Sequence, residues 1–268
     1  MLVSVFGVDM SAQGVGFAVF SLLKDSRLIH FQTKRHGGVS TGVYNSLNAG
    51  FSVGDSYENV MRNRQLIASA VGKDLSSFVF CRQIHGNNVV CVTKADKGRG
   101  VDFLRHDIIQ DADAMITNES GLVLCVKTAD CIPVFLYAPE TLVVGIVHAG
   151  WRGVSMCVVE KAVRQMIAGY GVDGSEILAV LGVGCGVCCY EVGAEVANLF
   201  PSDYVYGSGA IVHLDLKNII REQLMRSGVL PSNIEVSEVC SICHSDSFFS
   251  ARAQRGVVGY GLAGIGLL

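Results

Sequence analysis

Several runs of the sequence are apolar at every position rather than at alternate positions. Their lengths are those of ordinary β-strands. A strand with one face in water alternates apolar and polar side chains, so a continuously apolar run indicates a strand that is covered on both faces. These runs and two less regular ones predict strands at 88–94, 121–126, 132–138, 142–148, 177–183 and 234–239.

Three segments have the spacing of amphipathic helices. Ser56 is a candidate cap for a helix over 56–71, and Asp215 for a helix over 215–227. A stripe of apolar residues predicts a third helix over 154–167. Strands and helices mix without strict alternation, and no linker interrupts them. We therefore expect one domain over residues 1–268, of the α/β (α+β) class, in which a layered sandwich of mixed sheets is flanked by helices.

The composition excludes several classes of protein. Only 17% of the residues are charged and the net charge is -3, whereas nucleic-acid binding needs a basic surface. The longest apolar runs without charge have fourteen residues, fewer than the ~20 of a membrane-spanning helix. The first residues lack the basic start of a signal peptide, so we expect a cytoplasmic protein whose ten cysteines stay reduced.

Three short segments place reactive side chains where an apolar strand meets a glycine-rich loop, a common position for functional sites. They contribute His85, Cys131 and His148. Two imidazoles and a thiolate suit Zn²⁺, and three protein ligands leave a fourth tetrahedral position free, as in catalytic zinc sites. The separations of 46 and 17 residues are not diagnostic. The alternative is two ordinary turn histidines and a buried cysteine.

Other cysteines give weaker signals. Cys240, Cys243 and His244 match the haem-attachment pattern C-x-x-C-H, but covalent haem attachment generally requires export. Cys185 and Cys188 could join Cys240 and Cys243 in a four-cysteine zinc site. The two pairs are far apart in sequence, however, and a chain this hydrophobic needs no metal to fold. We expect these cysteines to belong to strand ends and turns.

Six motifs occur in a fixed order from about residue 33 to the end of the sequence. They are S-T-G-V-Y-N-S-L-N-A-G (40–50), C-R-Q-I-H-G (81–86), T-A-D-C-I-P-V (128–134), V-H-A-G-W-R-G (147–153), C-C-Y-E-V-G (188–193) and F-F-S-A-R (248–252). Together they resemble the laccase-domain, or multicopper polyphenol oxidase, family. Members of that family are now regarded as purine nucleoside phosphorylases with adenosine deaminase activity.

The resemblance implies a fold and a metal site. The implied fold is a single layered α/β domain similar to the catalytic domain of a bacterial deamidating toxin that uses a Cys–His pair. The family's metal ligands fall on His85, Cys131 and His148, with Zn²⁺ as the expected ion and Cu²⁺ as the alternative. The sequence departs from the family pattern near its end, where Ala253 and Tyr260 stand at positions commonly held by arginine.

The implied substrates are phosphate and purine nucleosides, namely adenosine, inosine and methylthioadenosine. In deamination a metal-activated water would attack C6, and Asp130 is the candidate for proton transfer, with turn capping or ligand orientation as its alternative role. In phosphorolysis Arg152, at a helix start, is the first candidate for binding phosphate and Arg35 the second. Asn48 is a candidate polar contact to the substrate. For these last three, a solvent-facing role is the alternative.

Other functions remain open. A copper-dependent polyphenol oxidase could use two histidines and a cysteine, but a laccase needs paired histidines, and the seven histidines here form no H-x-H pair. A Cys131–His148 pair could act as a thiol hydrolase without metal. A binding module is the non-enzymatic alternative. The sequence does not distinguish a monomer from a homodimer.

Overall fold

Strands and helices alternate irregularly in the structure, a computed structural model that describes residues 3–5, 8–10, 14–209 and 211–268. The strands are β1 (Val3–Val5), β2 (Val8–Met10), β3 (Gly16–Ala18), β4 (Leu28–Thr33), β5 (Phe78–Phe80), β6 (Val89–Cys91), β7 (Ala114–Thr117), β8 (Val123–Thr128), β9 (Ile132–Ala138), β10 (Val143–Ala149), β11 (Leu178–Leu181), β12 (Glu191–Gly193), β13 (Val205–Tyr206), β14 (Ile211–Leu214), β15 (Ile234–Val236) and β16 (Gly261–Leu267). The helices are α1 (Tyr57–Ala70), α2 (Trp151–Ser155), α3 (Val158–Tyr170), α4 (Ala194–Ala197), α5 (Leu216–Arg226) and α6 (Ala251–Gln254).

The described strands form two large sheets and a small one. The seven-stranded sheet has the order β1-β2-β3-β4-β16-β8-β5, the six-stranded sheet β15-β11-β9-β10-β7-β6, and the small sheet β12-β14-β13. Most neighbours are antiparallel, but β5–β8, β6–β7 and β11–β15 are parallel. These mixed sheets confirm the predicted α/β (α+β) class.

Three hydrophobic clusters show how the sheets and helices are layered. One lies between the two large sheets and joins Leu124 and Ile265 to Phe135 and Ile146. The second covers the other face of the six-stranded sheet with α3 and α5, and the third covers the other face of the seven-stranded sheet with α1. The central strands of both large sheets are therefore buried on both faces. That burial explains why β9 and β10 have almost no polar positions.

The predicted helices over 56–71 and 215–227 are present as α1 and α5. Each has the predicted cap, because the side chains of Ser56 and Asp215 accept hydrogen bonds from backbone N–H groups in the first turn of their helices. Within the described part of the chain, no helix combines the length and the hydrophobicity that a membrane span requires.

The helix predicted over 154–167 is wrong at its start. The segment is divided between α2 and α3, and Cys157 between them has a left-handed backbone with φ of 57°. A left-handed residue interrupts the helical hydrogen bonds. The break leaves a five-residue helix directly after β10, while α3 packs on the six-stranded sheet.

The central strand β16 was not among the predicted strands, because glycines interrupt its apolar pattern. These glycines allow close approach of neighbouring chains. A Cβ at Gly264 would lie 2.6 Å from a ring carbon of Phe31, and one at Gly266 would lie 2.1 Å from the carbonyl oxygen of Leu122. Any larger residue would push β16 out of the position that it holds between β4 and β8.

Candidate metal centre and active site

The three predicted ligands meet at one end of the six-stranded sheet. His148 is on β10, Cys131 immediately precedes β9, and His85 lies in the loop between β5 and β6. Since β9 and β10 are antiparallel, with His148 opposite Pro133, the end of one strand meets the start of the other. The ligand atoms of the three side chains all lie within 4.8 Å of one another. The fold thus brings together residues that are distant in sequence.

A buried carboxylate, Asp113, connects the two histidine-bearing segments. Its Oδ1 accepts hydrogen bonds from His148 Nδ1 at 2.8 Å and from the His85 backbone N–H at 3.0 Å. Its Oδ2 accepts from the backbone N–H groups of Gly86 at 2.7 Å and Ile84 at 3.2 Å. The bond to Nδ1 fixes the His148 ring and leaves Nε2 as its ligand atom. No sequence pattern predicted Asp113 as a site residue.

The charges of Cys131 and His148 depend on each other. Burial alone would raise the pKa of the Cys131 thiol, but the adjacent His148 and hydrogen bonds from both histidines lower it to about 6. Burial alone would lower the pKa of His148, but Cys131 and Asp113 raise it to about 9. In the metal-free chain the pair is therefore a thiolate and an imidazolium at neutral pH. The thiolate is the form that binds a metal.

Gly150 leaves room for the ligands. A Cβ at this position would lie 2.9 Å from Sγ of Cys131 and 3.2 Å from Cδ2 of His85. The backbone thus approaches Cys131 and His85 so closely that only glycine fits without displacing them. Two imidazoles and one thiolate suit Zn²⁺ better than a cation that prefers oxygen. The donor set and its packing fit the ion that the family resemblance implies.

A pocket of about 300 Å³ opens beside the three ligands. Three cationic side chains line it, and each packs against an aromatic ring that also lines it. The pairs are Arg152 with Trp151, Arg252 with Tyr190 and Lys127 with Tyr260, at cation-to-centroid distances of 4.2, 5.1 and 6.0 Å. Of these cations only Arg152 was a predicted site residue. Lys127 directly precedes the T-A-D-C motif and Arg252 ends the F-F-S-A-R motif, but no sequence feature distinguished either from a surface cation.

The two predicted catalytic residues both line this pocket. Asp130 has a left-handed backbone (φ 94°) and is 7% exposed. Its carboxylate accepts hydrogen bonds from Ser241 Oγ and from the Arg252 backbone N–H, both at 2.8 Å. These bonds favour its alternative role of fixing the turn beside Cys131. Arg152 is exposed and belongs to the five-residue helix α2. Because this helix is so short, we consider the Arg152 side chain, and not the helix start, as the group that can bind an anion.

The two predicted substrate contacts lie outside the lining of this pocket. The guanidinium of Arg35 donates to the carbonyl oxygens of Ser245 at 2.6 Å and Asn45 at 2.9 Å, so it ties two loops together. Asn48 is fully buried, and its side chain bonds to Gly50, Asp55 and the backbone N–H of Tyr260. These bonds give both residues structural partners, and their contacts to substrate stay predictions.

Comparisons with known proteins identify the family. The family model described as multi-copper polyphenol oxidoreductase laccase matches residues 29–268. Purine nucleoside phosphorylase YlmD of Geobacillus stearothermophilus is 37% identical over 243 residues, which cover 87% of this chain and 88% of that protein. Adenosine deaminase RL5, from an unknown prokaryotic organism, is 32% identical over 83% of this chain and 87% of that protein. The crystal structure of the Bacillus licheniformis hypothetical protein YfiH has a TM-score of 0.92 and 30% identity, covering 98% of this chain and 100% of that one. The chain therefore belongs to the multi-copper polyphenol oxidoreductase laccase family.

Proposed function

We propose that this protein is a zinc-dependent purine nucleoside phosphorylase that also deaminates adenosine. The observation that carries the proposal is the group of two imidazoles and one thiolate beside a pocket lined by three cations. The names of two relatives, a purine nucleoside phosphorylase and an adenosine deaminase, support it. The proposed substrates are phosphate and adenosine, inosine or methylthioadenosine, and the proposed ion is Zn²⁺, with Cu²⁺ as the alternative.

The cations of the pocket give phosphate a binding site. Among the described residues no carboxylate forms an ion pair with Arg152, and its guanidinium is held by stacking on Trp151. Two parallel N–H groups of a guanidinium match two phosphate oxygens. We assign phosphate binding to Arg152 first, with Lys127 and Arg252 adding positive charge. The pocket keeps this charge even with Tyr260 at a position where arginine is common.

The protein groups around the ligands control proton positions. When bound, a zinc ion at His85, Cys131 and His148 would supply Lewis-acid activation of water or of a substrate oxygen. Asp113 holds Nδ1 of His148 protonated, which directs Nε2 to the ligand position. Asp130 stays our candidate for proton transfer to the departing ammonia, because this residue lines the pocket and is next to Cys131 in the sequence.

Metal content and phosphate dependence together test the proposal. We expect bound zinc, and release of free base from inosine or adenosine that requires phosphate. His148→Ala should abolish base release and remove the zinc ion held at these three ligands, while His213→Ala, which alters a partly exposed histidine of the small sheet, should change neither. Phenol oxidation without added copper, in the absence of base release, would show that the assignment is wrong.

A second function is favoured by the contact geometry around His148. Cys131, His148 and Asp113 have the arrangement of a nucleophile, its base and the carboxylate that orients the base. Full hydrolytic activity of metal-free protein, lost in Cys131→Ala, would support a thiol hydrolase. A copper oxidase finds less support, because in the described chain the histidine-containing group close enough to hold a metal has only two histidines.

The setting of this activity is also part of the proposal. We propose that residues 1–268 act as one domain, as a monomer or homodimer, in the cytoplasm. The thiolate ligand favours a reducing compartment, because oxidation of Cys131 would remove it from the metal centre.

A further inference from the structure

Four cysteines outside the proposed catalytic site come together between two loops. Cys188 and Cys189 lie in the loop before β12, whereas Cys240 and Cys243 follow β15. Their Sγ atoms all lie within 4.8 Å of one another. Sγ of Cys243 is 3.6 Å from that of Cys188 and 3.2 Å from that of Cys189. The two loops are about fifty residues apart in sequence, so only the fold creates this group.

The spacing of the four sulfurs is that of a tetrahedral thiolate site. With Zn–S bonds of about 2.3 Å, the sulfurs of such a site are about 3.8 Å apart. Hydrogen bonding to Cys243 and burial raise the pKa of Cys189, because a second thiolate is unfavourable beside the first. A divalent cation removes this repulsion, and four protein ligands close its coordination shell.

The surroundings of Cys240 favour an anionic sulfur. The backbone N–H of Gly186 donates to its Sγ at 3.2 Å, and the N–H groups of Ile242 and Cys243 bond to the same atom. Burial alone would raise the pKa of this thiol, but the three donors lower it. Lys217 is close enough to Cys240 and Cys188 to interact with them electrostatically. Its ammonium offsets part of the negative charge that four thiolates around a divalent ion retain.

Other uses of these cysteines fit the geometry less well. A disulfide would join two sulfurs and leave two unexplained. Haem attachment through the C-x-x-C-H pattern would need both Cys240 and Cys243 at the surface, but Cys240 is only 4% exposed. Cys185, which sequence spacing pairs with Cys188, is buried and lines the pocket beside Cys131 instead. Cys189 takes its place in the group.

We propose that Cys188, Cys189, Cys240 and Cys243 bind a second zinc ion, which has a structural role. The ion fastens the loop over 184–190 to the loop over 237–247. The backbones of these loops already meet in a bridge between Gly184 and Cys240. Cys188 and Cys243 are exposed, so the ion can reach the site from solvent.

The proposed zinc site also supports the wall of the pocket. Ser241, next to Cys240, donates to the carboxylate of Asp130, and the same segment continues to Arg252. On the other loop Tyr190 directly follows Cys189 and lines the pocket. Loss of the second zinc should therefore raise KM values at the pocket more than it lowers kcat.

Zinc stoichiometry in purified protein tests this proposal. After purification with zinc and a phosphine reductant and exhaustive dialysis, we expect two zinc ions per chain. Cys243→Ser and Cys189→Ser should each retain one, and Cys131→Ser should retain the other. Cys91→Ser changes an exposed cysteine on β6 and should retain both. Cobalt-loaded Cys131→Ser should show the sulfur-to-cobalt charge-transfer absorption of a four-thiolate site.

Three outcomes would overturn the second site. They are a Cys131→Ser protein without bound metal, equal zinc contents in Cys243→Ser and wild type, and a disulfide within the group in protein purified with zinc and the reductant. If the serine variants fail to fold, titration of wild type with a thiol-specific mercurial still decides. Release of the second zinc should then require four thiol equivalents, and release independent of thiol modification would contradict the proposal.

Discussion

Replacing Asp113 by asparagine changes a single atom at the point where both histidine segments are fixed. The carboxylate accepts four hydrogen bonds, two at each oxygen, from backbone N–H groups and from His148 Nδ1. An asparagine retains one acceptor oxygen. Whichever way the amide turns, two of the four donors face an N–H₂ group instead.

The expected losses follow from these bonds. A hydrogen bond to a charged group contributes about 1.5–3 kcal/mol, so losing two should lower the free energy of unfolding of metal-free protein by about 3 kcal/mol or more. Loss of a carboxylate partner of a metal-binding histidine lowers metal affinity by about 10- to 100-fold. Asp113→Asn should therefore be both less stable and a weaker zinc binder.

Zinc competition with a chromogenic chelator and urea unfolding measure the two effects. Asp111→Asn is a matched control, since it makes the same change two residues away, where the carboxylate is exposed and pairs with Arg82. Its left-handed backbone also tolerates asparagine. If Asp113→Asn and Asp111→Asn bound zinc equally and unfolded at the same urea concentration, the role assigned to Asp113 would be refuted.

Three further predictions address the pocket and the ligands. Between pH values of about 6 and about 9, Cys131 is ionised and His148 is protonated, so zinc binding should release one proton and the logarithm of zinc affinity should rise with pH up to about 9. Calorimetry in buffers of different ionisation enthalpy counts the released proton, and zero release would contradict the charge assignment. Arg152→Ala should raise KM for phosphate about 10-fold or more with little change in KM for nucleoside, whereas Arg82→Ala should leave both constants unchanged. If initial-rate kinetics showed equal effects of the two variants, Arg152 would be excluded as the phosphate ligand. Asn48→Ala should lower the free energy of unfolding by about 2 kcal/mol or more, because four hydrogen bonds are lost, and it should not raise KM. A raised KM with unchanged stability in urea titrations would instead support the substrate contact predicted from the sequence.

The parts of the fold that sequence could predict are those set by local pattern. Continuous apolar runs predicted β9 and β10 because burial on both faces removes polar positions. The starts of α1 and α5 followed from single capping side chains. The glycine-rich strand β16 was not predicted. Its glycines are required by close contacts with β4 and β8, which no local sequence pattern reveals.

The same distinction separates the site residues. His85, Cys131 and His148 could be selected because they lie in the motifs that resemble the family, whereas their chemistry and spacing alone left two turn histidines and a buried cysteine as the alternative. Asp113 could not, since only the pairing of β7 with β10 sets it apart from Asp111, two residues earlier. Polar residues that tie loops together and those that bind substrate look alike in sequence. Both kinds need hydrogen-bond partners, which only the fold supplies.

The position of β16 sets a limit on when the molecule can acquire its structure during synthesis. Residues 261–267 fill the gap between β4, which is made more than two hundred residues earlier, and β8. While a ribosome still holds this segment, two strands of the nascent protein expose unpaired backbone edges to the cell. These two edges can be paired only after residues 261–267 have been synthesised and released.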